Sequence, residues 1–445
     1  MKAISLFCSG GIGDLALQNS GFDVIVANEK INDRAQVFKF NYPETSIIIG
    51  DIWQKKETIL KEIIRKLSGE KLDLVFATPP CQGMSKNGRG KLLNGIREGK
   101  KSEIDERNLL IIPTVEIFVA SGADTLIMEN VPEMEKTYIP HPYKHGELIN
   151  ILDFIQESLG KNFVRCIRNI EFADYGVPQC RQRLISIFTK NEKLKSYLQF
   201  SGDLFPPPTY SKDGLNLPLW ITVRDAISHL PPLCADNPKN AKCQSIPYHY
   251  VPLLDEDKYL WVSNTPPEKS AFDNQCINPH CRFTGNQTHQ AKKNSHGINR
   301  ASTETPIYCQ KCGHLLPRPW VREGKEYRLM KGYTSAYKRM SWDAPSSTLT
   351  RNLSYACSDN KIHPSQHRVL SLYEAMILHT IDKYPFQWKR ADGKKISDKL
   401  IRDLIGESVP PLGLEQIFSF IMSILTDNHQ NVTKSQQKSQ QLCLF

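Results

Sequence analysis

A cysteine directly behind two prolines is the residue in this sequence best placed for covalent chemistry. The stretch "DLVFATPPCQGMS" runs from Asp73 to Ser85, and its apolar first half is typical of a buried strand. Pro80 stiffens the backbone, and Cys81 follows in a loop that no longer continues the strand. A lone cysteine is most often a buried packing residue. Because "TPPCQG" is not a core pattern, we expect Cys81 to be a presented nucleophile.

A carboxylate and two arginines are further candidates for the same site. Glu129 ends the apolar run "ADTLIMEN", and a carboxylate at the end of a buried strand needs a partner or a chemical task. The plainer alternative is a salt bridge that holds a loop. In "YGVPQCRQRLISIF", Arg181 and Arg183 alternate, which predicts one shared face of a strand that begins near Gln179. Two guanidinium groups on one face suit an anion or a carbonyl oxygen.

A glycine turn and two acidic residues predict a cofactor that contains a nucleoside. Gly10, Gly11 and Gly13 follow the first apolar run and open a helical pattern, so the backbone can approach a nucleotide closely. Glu29, at the end of the next strand, could bind ribose hydroxyls, and Asp51 could accept a hydrogen bond from an adenine amino group. No GxxxxGK[ST] stretch is present, which argues against an NTP-hydrolysing P-loop.

The elements that must position these residues alternate along the first part of the chain. Strands are predicted at residues 3–7, 22–29, 46–52, 72–80 and 123–132, and helices at residues 15–20, 34–43, 56–67 and 108–122. This alternation predicts an α/β fold with a doubly wound, mostly parallel sheet. In such sheets ligands bind at the carboxyl ends of the strands, where the polar clusters of this sequence lie.

Composition sets limits on the class of protein. The chain has 445 residues, enough for two domains or for one domain with an insertion, and its formal net charge is +10. That charge suits a polyanionic partner such as nucleic acid, although a basic solvated surface is the plainer reading. No apolar stretch is long enough to span a bilayer or to serve as a signal peptide, so we expect a cytoplasmic protein without membrane contact.

The middle of the chain, from about residue 200 to residue 366, is rich in proline and polar residues. It contains two cysteine pairs, Cys276 with Cys281 and Cys309 with Cys312. Four thiolates in two knuckles can enclose a tetrahedral zinc ion, which would hold a module that lacks a large core. The alternative is four free cysteines, and His280 and His314 lie beside the pairs as substitute ligands. A basic and aromatic stretch at residues 318–342 predicts contacts with phosphates and, for some side chains, with base edges in the major groove. The plainer alternative for many of these residues is a solvated surface.

The motifs together resemble those of the DNA cytosine-5 methyltransferases. "TPPCQGMS" is similar to the Pro-Cys motif of that family, "ENVPEM" to its Glu-Asn-Val motif and "YGVPQCRQRL" to its Gln-x-Arg-x-Arg motif. "HPSQHRVLSLYEAMILHTI" resembles the Arg-x-Leu motif, and "IGESVPP" the last motif. They occur in family order and cover the chain except roughly residues 195–335. The resemblance implies an S-adenosylmethionine-dependent methyltransferase fold with a smaller, irregular target-recognition domain.

The resemblance also implies a mechanism and a role for each residue of the site. Cys81 would add to carbon 6 of cytosine, carbon 5 would take the methyl group of S-adenosylmethionine, and Cys81 would then leave. Glu129 would hydrogen-bond ring N3 and the exocyclic amine. Arg183, together with Arg181, would hold the cytosine O2 edge and the loop, and Pro80 would fix the loop backbone. The target base would be flipped out of the duplex.

For the cofactor, the resemblance implies that Phe7 stacks on the adenine, Glu29 binds the ribose, and Asp51 with Ile52 contacts the adenine. The predicted cofactor-binding residues are Phe7, Ser9, Gly10, Gly11, Glu29, Asp51 and Ile52. The sequence departs from the family pattern at "FCSGGIG", where Ser9 and Ile12 replace glycines. It departs again at "IGESVPP", where Glu407 replaces asparagine.

The predicted organisation has three parts. Residues 1–195 form the catalytic, S-adenosylmethionine-binding domain, residues 196–365 the target-recognition domain, and residues 366–445 closing helices with a frayed tail from about residue 428. Expected partners are double-stranded DNA and a cognate restriction endonuclease that acts on the same site. A monomer is expected, because an asymmetric site needs no symmetry.

Three other functions compete with DNA methylation. A tRNA cytosine-5 methyltransferase shares the chemistry, but such enzymes usually have a shorter variable segment. A DNA-binding protein without catalysis would lack Cys81 or Glu129, and both are present. A dinucleotide-dependent oxidoreductase has no place for the Pro-Cys, Glu-Asn-Val and arginine motifs.

Overall fold

The computed structural model describes residues 1–80, 105–289, 291–293, 299–301, 305–330 and 335–427. Its centre is a seven-stranded sheet. The strands of this sheet are β1 (Lys2–Leu6), β2 (Asp23–Glu29), β3 (Ser46–Ile49), β4 (Leu74–Ala77), β5 (Thr125–Asn130), β8 (Val164–Glu171) and β9 (Gln182–Thr189). A short hairpin, β6 (Tyr138–Pro140) and β7 (Leu148–Asn150), lies between β5 and β8 in the chain.

The strand order across the sheet is β3-β2-β1-β4-β5-β9-β8. Strands β1 to β5 pair in parallel, and β9 runs antiparallel to both β5 and β8. Every residue of β4 and β5 is buried, because helices cover both faces of the sheet and leave no solvated side. The predicted doubly wound, mostly parallel sheet is confirmed.

Helices cover both faces of this sheet. Those of the first part of the chain are α1 (Asp14–Asn19), α2 (Asn32–Asn41), α3 (Ile52–Leu67), α4 (Ile111–Ser121), α5 (Ile151–Leu159) and α6 (Glu192–Ser201). On α3, Ile59, Ile63 and Leu67 recur every fourth residue, which places them on one apolar stripe that packs into the core with α4 and α5. Short 3-10 helices lie at Glu106–Leu110, Pro132–Lys136, Phe172–Tyr175, Ala271–Asp273 and Ile381–Lys383.

The last helices return to the sheet. They are α9 (Leu372–Leu378), α10 (Asp398–Glu407) and α11 (Pro411–Leu425). The ring of Phe418 on α11 lies 5.1 Å from that of Phe76 and 6.3 Å from that of Phe22, edge to face in both cases. Helix α9 is shorter than the sequence pattern suggests, because Ser371 and Glu374 form a capping box that fixes its start.

The described part of the region between residues 202 and 371 has little regular structure, as the sequence indicated. Its elements are the helices α7 (Val223–Ile227) and α8 (Glu256–Ser263) and the hairpins β10 (Ala291–Lys293) with β11 (Asn299–Ala301) and β12 (Trp320–Glu323) with β13 (Glu326–Leu329). Arg318 and Arg339, which lie in the stretch predicted to contact phosphates, are buried and donate to backbone carbonyls such as Asn274 O and Thr265 O. An irregular chain leaves carbonyls unpaired, and these guanidinium groups satisfy several of them at once.

Across the described residues, no single helix is both long and apolar enough to cross a membrane. Only α10 and α11 taken together pass that test of length and composition, and the chain bends by 43° between them.

Candidate active site

A cavity of about 470 Å³ opens where β1, β2 and β4 end. Phe7, Glu29 and Thr78 line it from those three strand ends, and Leu404 and Ser408 line it from the carboxyl-terminal part of the chain. Carboxyl ends of parallel strands meet at one edge of a sheet, which explains why residues far apart in sequence share this wall. The volume is within the range of small-molecule sites.

The glycine turn after β1 is tightly constrained. Phe7 and Ser9 have φ angles of 61° and 50°, in the left-handed region that non-glycine residues seldom adopt, and both line the cavity. Gly11 has a φ of 87°, and a Cβ there would lie 2.3 Å from the Tyr42 ring. Gly10 lines the cavity, whereas Gly11 packs on Tyr42 and is not part of its wall.

Glu29 connects this turn to the end of β2. Its Oε2 accepts from the backbone N–H of Ser9 at 3.0 Å, and its Oε1 accepts from that of Ile31 at 2.7 Å. Burial raises the pKa of Glu29, and the two backbone donors oppose that rise. A carboxylate has about four acceptor positions, so Glu29 keeps capacity for a ligand hydroxyl.

Asp51 and Ile52 begin helix α3 at the same cavity. Asp51 is the N-cap of that helix: its Oδ1 accepts from the backbone N–H of Trp53 at 3.0 Å. Its Oδ2 accepts from Lys30 Nζ at 2.7 Å, and this contact lowers the pKa of Asp51. Ile52 is buried and lines the wall.

Glu129 and Arg183 form an ion pair at the cavity, with 2.7 Å between Arg183 Nε and Glu129 Oε1. Strands β5 and β9 are antiparallel, so the end of one meets the start of the other, and Glu129 lies opposite Ile185. Glu129 is only 7% exposed. Burial raises its pKa, and the nearby guanidinium groups of Arg183 and Arg181 oppose that rise. The pair therefore offers both a carboxyl group and a cation to a bound base.

Arg181 is 1% exposed, and its guanidinium group holds backbone from other segments. It donates to Leu349 O at 3.0 Å and to Gly406 O at 3.2 Å. Strand β9 begins at Gln182 rather than near Gln179, because the preceding residues pair with Ser346 instead. The contact of Arg181 with a base stays a prediction.

The chain that leads to Cys81 is anchored on two sides. Thr78 Oγ1 donates to Phe7 O at 3.1 Å, and Asn130 Nδ2 donates to Pro79 O at 3.2 Å. Pro80 lines the cavity. Cys81 itself lies outside the described residues. The role of Asn130 was not predicted, although its place beside Glu129 at a strand end was a usable signal.

Two ion pairs of Glu407 were also not predicted. Glu407 Oε2 lies 2.6 Å from Arg34 Nη1, and its Oε1 lies 3.3 Å from Arg351 Nη1. All three side chains line the cavity. Glutamate in place of asparagine adds a negative charge, which indicated a cation nearby. The sequence alone could not show which arginines lie beside it.

The cavity fits a nucleoside with a charged amino-acid tail, which is the chemistry of S-adenosylmethionine. Its walls combine apolar side chains such as Phe7 with the carboxylates of Glu29 and Asp51. Two buried wall atoms, Ser9 Oγ and Asp14 Oδ1, have no hydrogen-bond partner among the described residues. Buried polar atoms of this kind are usually satisfied, so they are available to a ligand.

The four cysteines of the middle region come together, as the spacing predicted. All the sulfur atoms of Cys276, Cys281, Cys309 and Cys312 lie within 4.8 Å of one another. Within the described part of the chain, neither His280 nor His314 joins this cluster. The donor set is one that metals such as zinc prefer.

The fold and the site define a methyltransferase, and comparison with known proteins specifies its class. The family model of C-5 cytosine-specific DNA methylases matches residues 1–423, so the chain belongs to that family. It is a DNA cytosine-5 methyltransferase, and S-adenosylmethionine is the cofactor of the family.

Individual relatives agree with this assignment. The type II methyltransferase M1.HgaI of Avibacterium volantium is 28% identical over 429 residues, covering 94% of this chain and 97% of that protein. The type II methyltransferase M.AquIA of Picosynechococcus sp. is 29% identical over 241 residues, covering 52% and 89%. A solved structure, described as a DNA modification methyltransferase encoded within an E. coli prophage, covers 96% of this chain and 99% of its own. Its TM-score is 0.52 at 19% identity, a likeness of fold.

Proposed function

We propose that this enzyme transfers a methyl group from S-adenosylmethionine to carbon 5 of a flipped cytosine in a specific duplex DNA sequence, through a covalent bond between Cys81 and carbon 6. The contact that carries the proposal is the ion pair of Glu129 and Arg183 at the cavity, 2.7 Å between Nε and Oε1. Pro80, which directly precedes the nucleophile, lines the same cavity. A base that entered there would meet the carboxyl group of Glu129 and the cation of Arg183 together.

The first step makes carbon 5 reactive. The thiolate of Cys81 adds to carbon 6, and the electron pair of the 5,6 double bond moves into the ring towards N3. Glu129 hydrogen-bonds N3 and the exocyclic amine, which stabilises the charge that develops there. Burial raises the pKa of Glu129, and the cations of Arg183 and Arg181 oppose that rise. Arg183, supported by Arg181, holds the O2 edge of the base.

The second step completes the transfer and restores the ring. When bound, S-adenosylmethionine would supply the methyl group: a bond forms between carbon 5 and the methyl carbon as the methyl–sulfur bond breaks, and S-adenosylhomocysteine leaves. Carbon 5 then carries both the methyl group and its original proton. Loss of that proton to a base and expulsion of the Cys81 thiolate re-form the 5,6 double bond.

Seven residues around the glycine turn hold the cofactor in this proposal. They are Phe7, Ser9, Gly10, Gly11, Glu29, Asp51 and Ile52. Phe7 stacks on the adenine, Glu29 accepts from the ribose hydroxyls, and Asp51 with Ile52 contacts the adenine. Ser9 supports this set, since its hydroxyl is buried at the cavity without a partner among the described residues. Gly11 acts indirectly, because only glycine leaves room for Tyr42 beneath the turn.

In this proposal, each of the three predicted parts of the chain has its own function. Residues 1–195 bind cofactor and base, residues 196–365 read the DNA sequence, and residues 366–445 close the catalytic domain. Two of the relatives are type II methyltransferases, which supports a modification enzyme of a restriction-modification system. We propose a monomer, since an asymmetric site needs no symmetry. A cognate restriction endonuclease would then cut the same sequence.

The test traps the covalent intermediate. A library of duplexes carrying 5-fluorocytosine is incubated with the enzyme and tritiated S-adenosylmethionine. Fluorine cannot leave carbon 5 as a proton does, so wild type is expected to form a labelled adduct that survives denaturation, and sequencing the trapped duplexes gives the recognition site. Cys81→Ser should form none. Glu129→Gln should form it at least ~100-fold more slowly.

Cys180→Ser is the matched control. Cys180 directly precedes Arg181 in the sequence, but burial raises the pKa of its thiol to about 11, so it is a poor nucleophile at neutral pH. An adduct that persists in Cys81→Ser would contradict the proposed mechanism. An adduct with tRNA but not with duplex DNA would show the alternative activity, tRNA cytosine-5 methylation.

A further inference from the structure

The four-cysteine cluster has the dimensions of a zinc site. A tetrahedral ion with Zn–S bonds of about 2.3 Å places its sulfur ligands about 3.8 Å apart. In the structure, Cys276 Sγ lies 3.7 Å from Cys312 Sγ, and Cys281 Sγ lies 3.9 Å from Cys309 Sγ. A disulfide needs about 2.05 Å, far less than either separation. We propose that these four thiolates bind a structural Zn²⁺ ion that organises the DNA-recognition region.

Each cysteine pair lies in a turn that presents its sulfur atoms to the other pair. In the second turn, the backbone N–H of Gly313 donates to Cys309 O at 2.9 Å, and that of Cys309 donates to His314 O at 2.8 Å. Gly313 has a φ of 72°, which a glycine adopts without strain. In the first turn, the N–H of Cys281 donates to Asn278 O at 2.9 Å. Backbone hydrogen bonds therefore fix the conformation of both turns.

Contacts outside the cluster hold the two turns beside each other. The buried Arg318 donates to Asn274 O at 2.8 Å, just before the first turn, and to Pro306 O at 2.7 Å, just before the second. Asn286 connects them again, accepting from the N–H of Gln310 at 2.8 Å and donating its own N–H to Gln275 Oε1 at 3.0 Å. These hydrogen bonds explain why the four sulfur atoms lie close together.

The packing around the cluster shows why an ion is needed. The apolar cluster that contains it has three buried members, Cys276, Cys309 and Leu316, with Cys281 and Phe283 packed alongside. So small a core contributes little to stability, and small modules of this kind usually depend on a metal or on disulfides. Among the described residues of the range 202–330, none lines the cofactor cavity. Loss of the ion should therefore weaken DNA recognition and leave cofactor binding unchanged.

Metal content is the direct test. The full chain is expressed with zinc and iron both supplied, and each metal is measured by mass spectrometry. One zinc per chain is expected in wild type and in Cys357→Ser, an exposed cysteine outside the cluster. Cys276→Ser/Cys309→Ser should contain none. Replacement by cobalt should give the charge-transfer and visible absorption of a tetrahedral thiolate site in wild type only.

A single variant keeps the test decisive if the double variant does not fold. Cys312 is exposed, so Cys312→Ser disturbs the packing least. It should lose zinc to a chelator at least ~10-fold faster than wild type. Its affinity for duplex DNA should fall by a similar factor, and its affinity for S-adenosylhomocysteine should not change. Equal rates of zinc loss, iron in place of zinc, or a wild type without metal would each overturn the proposal.

The expected effect on DNA binding rests on the proposed function, whereas the metal content does not. An enzyme that forms the 5-fluorocytosine adduct but contains no metal refutes the zinc site alone. One zinc per chain in a protein that forms no adduct refutes the proposed function alone.

Discussion

At the scale of single residues, burial and ion pairing have opposite effects on the pKa of Glu129. Burial raises the pKa of Glu129, and the cation of Arg183 at 2.7 Å opposes that rise.

Asp14 gives a pH dependence of stability that can be measured. Its side chain is buried, and burial raises its pKa to about 7, whereas an aspartate in an unfolded chain titrates near 3.9. Between about pH 4 and pH 7 the folded state therefore binds more protons than the unfolded state, so the free energy of unfolding falls as pH rises through this window. Asp14→Asn removes the titration. The free energy of unfolding of Asp14→Asn minus that of wild type should rise by roughly 2–4 kcal/mol between pH 4 and pH 8. Urea unfolding at each pH measures both values.

The control for this prediction is Asp257→Asn, which changes an exposed aspartate and should follow the pH profile of wild type. Parallel profiles for Asp14→Asn and wild type would mean that Asp14 does not carry the effect.

The sequence predicted the identities of the site residues better than their partners. Glu129, Arg183, Glu29 and Asp51 all lie at the cavity, since each follows a strand or begins one. Their pairings depend on which strands become neighbours, and a strand order cannot be read from local spacing. The ion pair of Glu407 with Arg34 joins residues that no local pattern relates.

At the scale of elements, strands β1 to β5 and the helices between them could be predicted because each has a continuous apolar run or a clear helical period. Helix α10 was not predicted individually, although its buried residues Ile401, Leu404 and Ile405 follow a helical spacing. The start of β9 was placed too early, because Gln179 pairs with Ser346, a residue beyond the reach of any local pattern.

Asp51 has two roles that substitutions can separate, since it caps α3 and is proposed to contact the adenine. Asp51→Ala should lower the free energy of unfolding by about 1 kcal/mol through loss of the cap. Asp51→Ser should retain the cap, because a serine hydroxyl also accepts from the helix N–H groups. Both should bind S-adenosylhomocysteine at least ~10-fold more weakly by titration calorimetry, since each loses the carboxylate. Wild-type affinity in Asp51→Ser would exclude the adenine contact.

Gly406 allows α10 to approach the segment that returns from the recognition region. A Cβ at this position would lie 2.2 Å from Arg351 N and 2.4 Å from Thr350 C, and both are backbone atoms that cannot rotate away. We expect Gly406→Ala to cost about 1–3 kcal/mol of stability and to weaken S-adenosylhomocysteine binding, because Gly406 and Arg351 both line the cavity.

Urea unfolding and calorimetry check the Gly406 prediction. Lys399→Ala, on the same helix with a side chain 78% exposed, is the matched control and should behave as wild type. A fully stable Gly406→Ala enzyme with normal binding would show that the two segments separate at little cost.

At the scale of the whole molecule, the sequence predicted the irregular character of the recognition region but not what holds it together. Arg318 and Arg339 were expected to face phosphates with the rest of their basic stretch. Their burial against carbonyl groups depends on chain segments that only the fold brings near.

The net charge of +10 predicts that DNA binding depends on salt. Cationic side chains that neutralise phosphates release counterions from the DNA, so the affinity for duplex should fall at least ~10-fold between 50 and 200 mM salt. The affinity for S-adenosylhomocysteine, measured on the same samples, should change less than about twofold, because short-range contacts are screened little by salt. A DNA affinity that is independent of salt would contradict a phosphate-based interface.

The cofactor cavity has walls from opposite parts of the chain, and this fixes when a newly made molecule can become active. Ser5 to Asp14 supply one wall and Leu404 to Leu414 another, and Arg181 holds Gly406 in place only after that segment has been synthesised. A ribosome must therefore translate residues 196–365, which are proposed to read the DNA, before the cavity can close. A message cut short by a premature stop codon before residue 404 yields a chain that lacks one wall of this cavity.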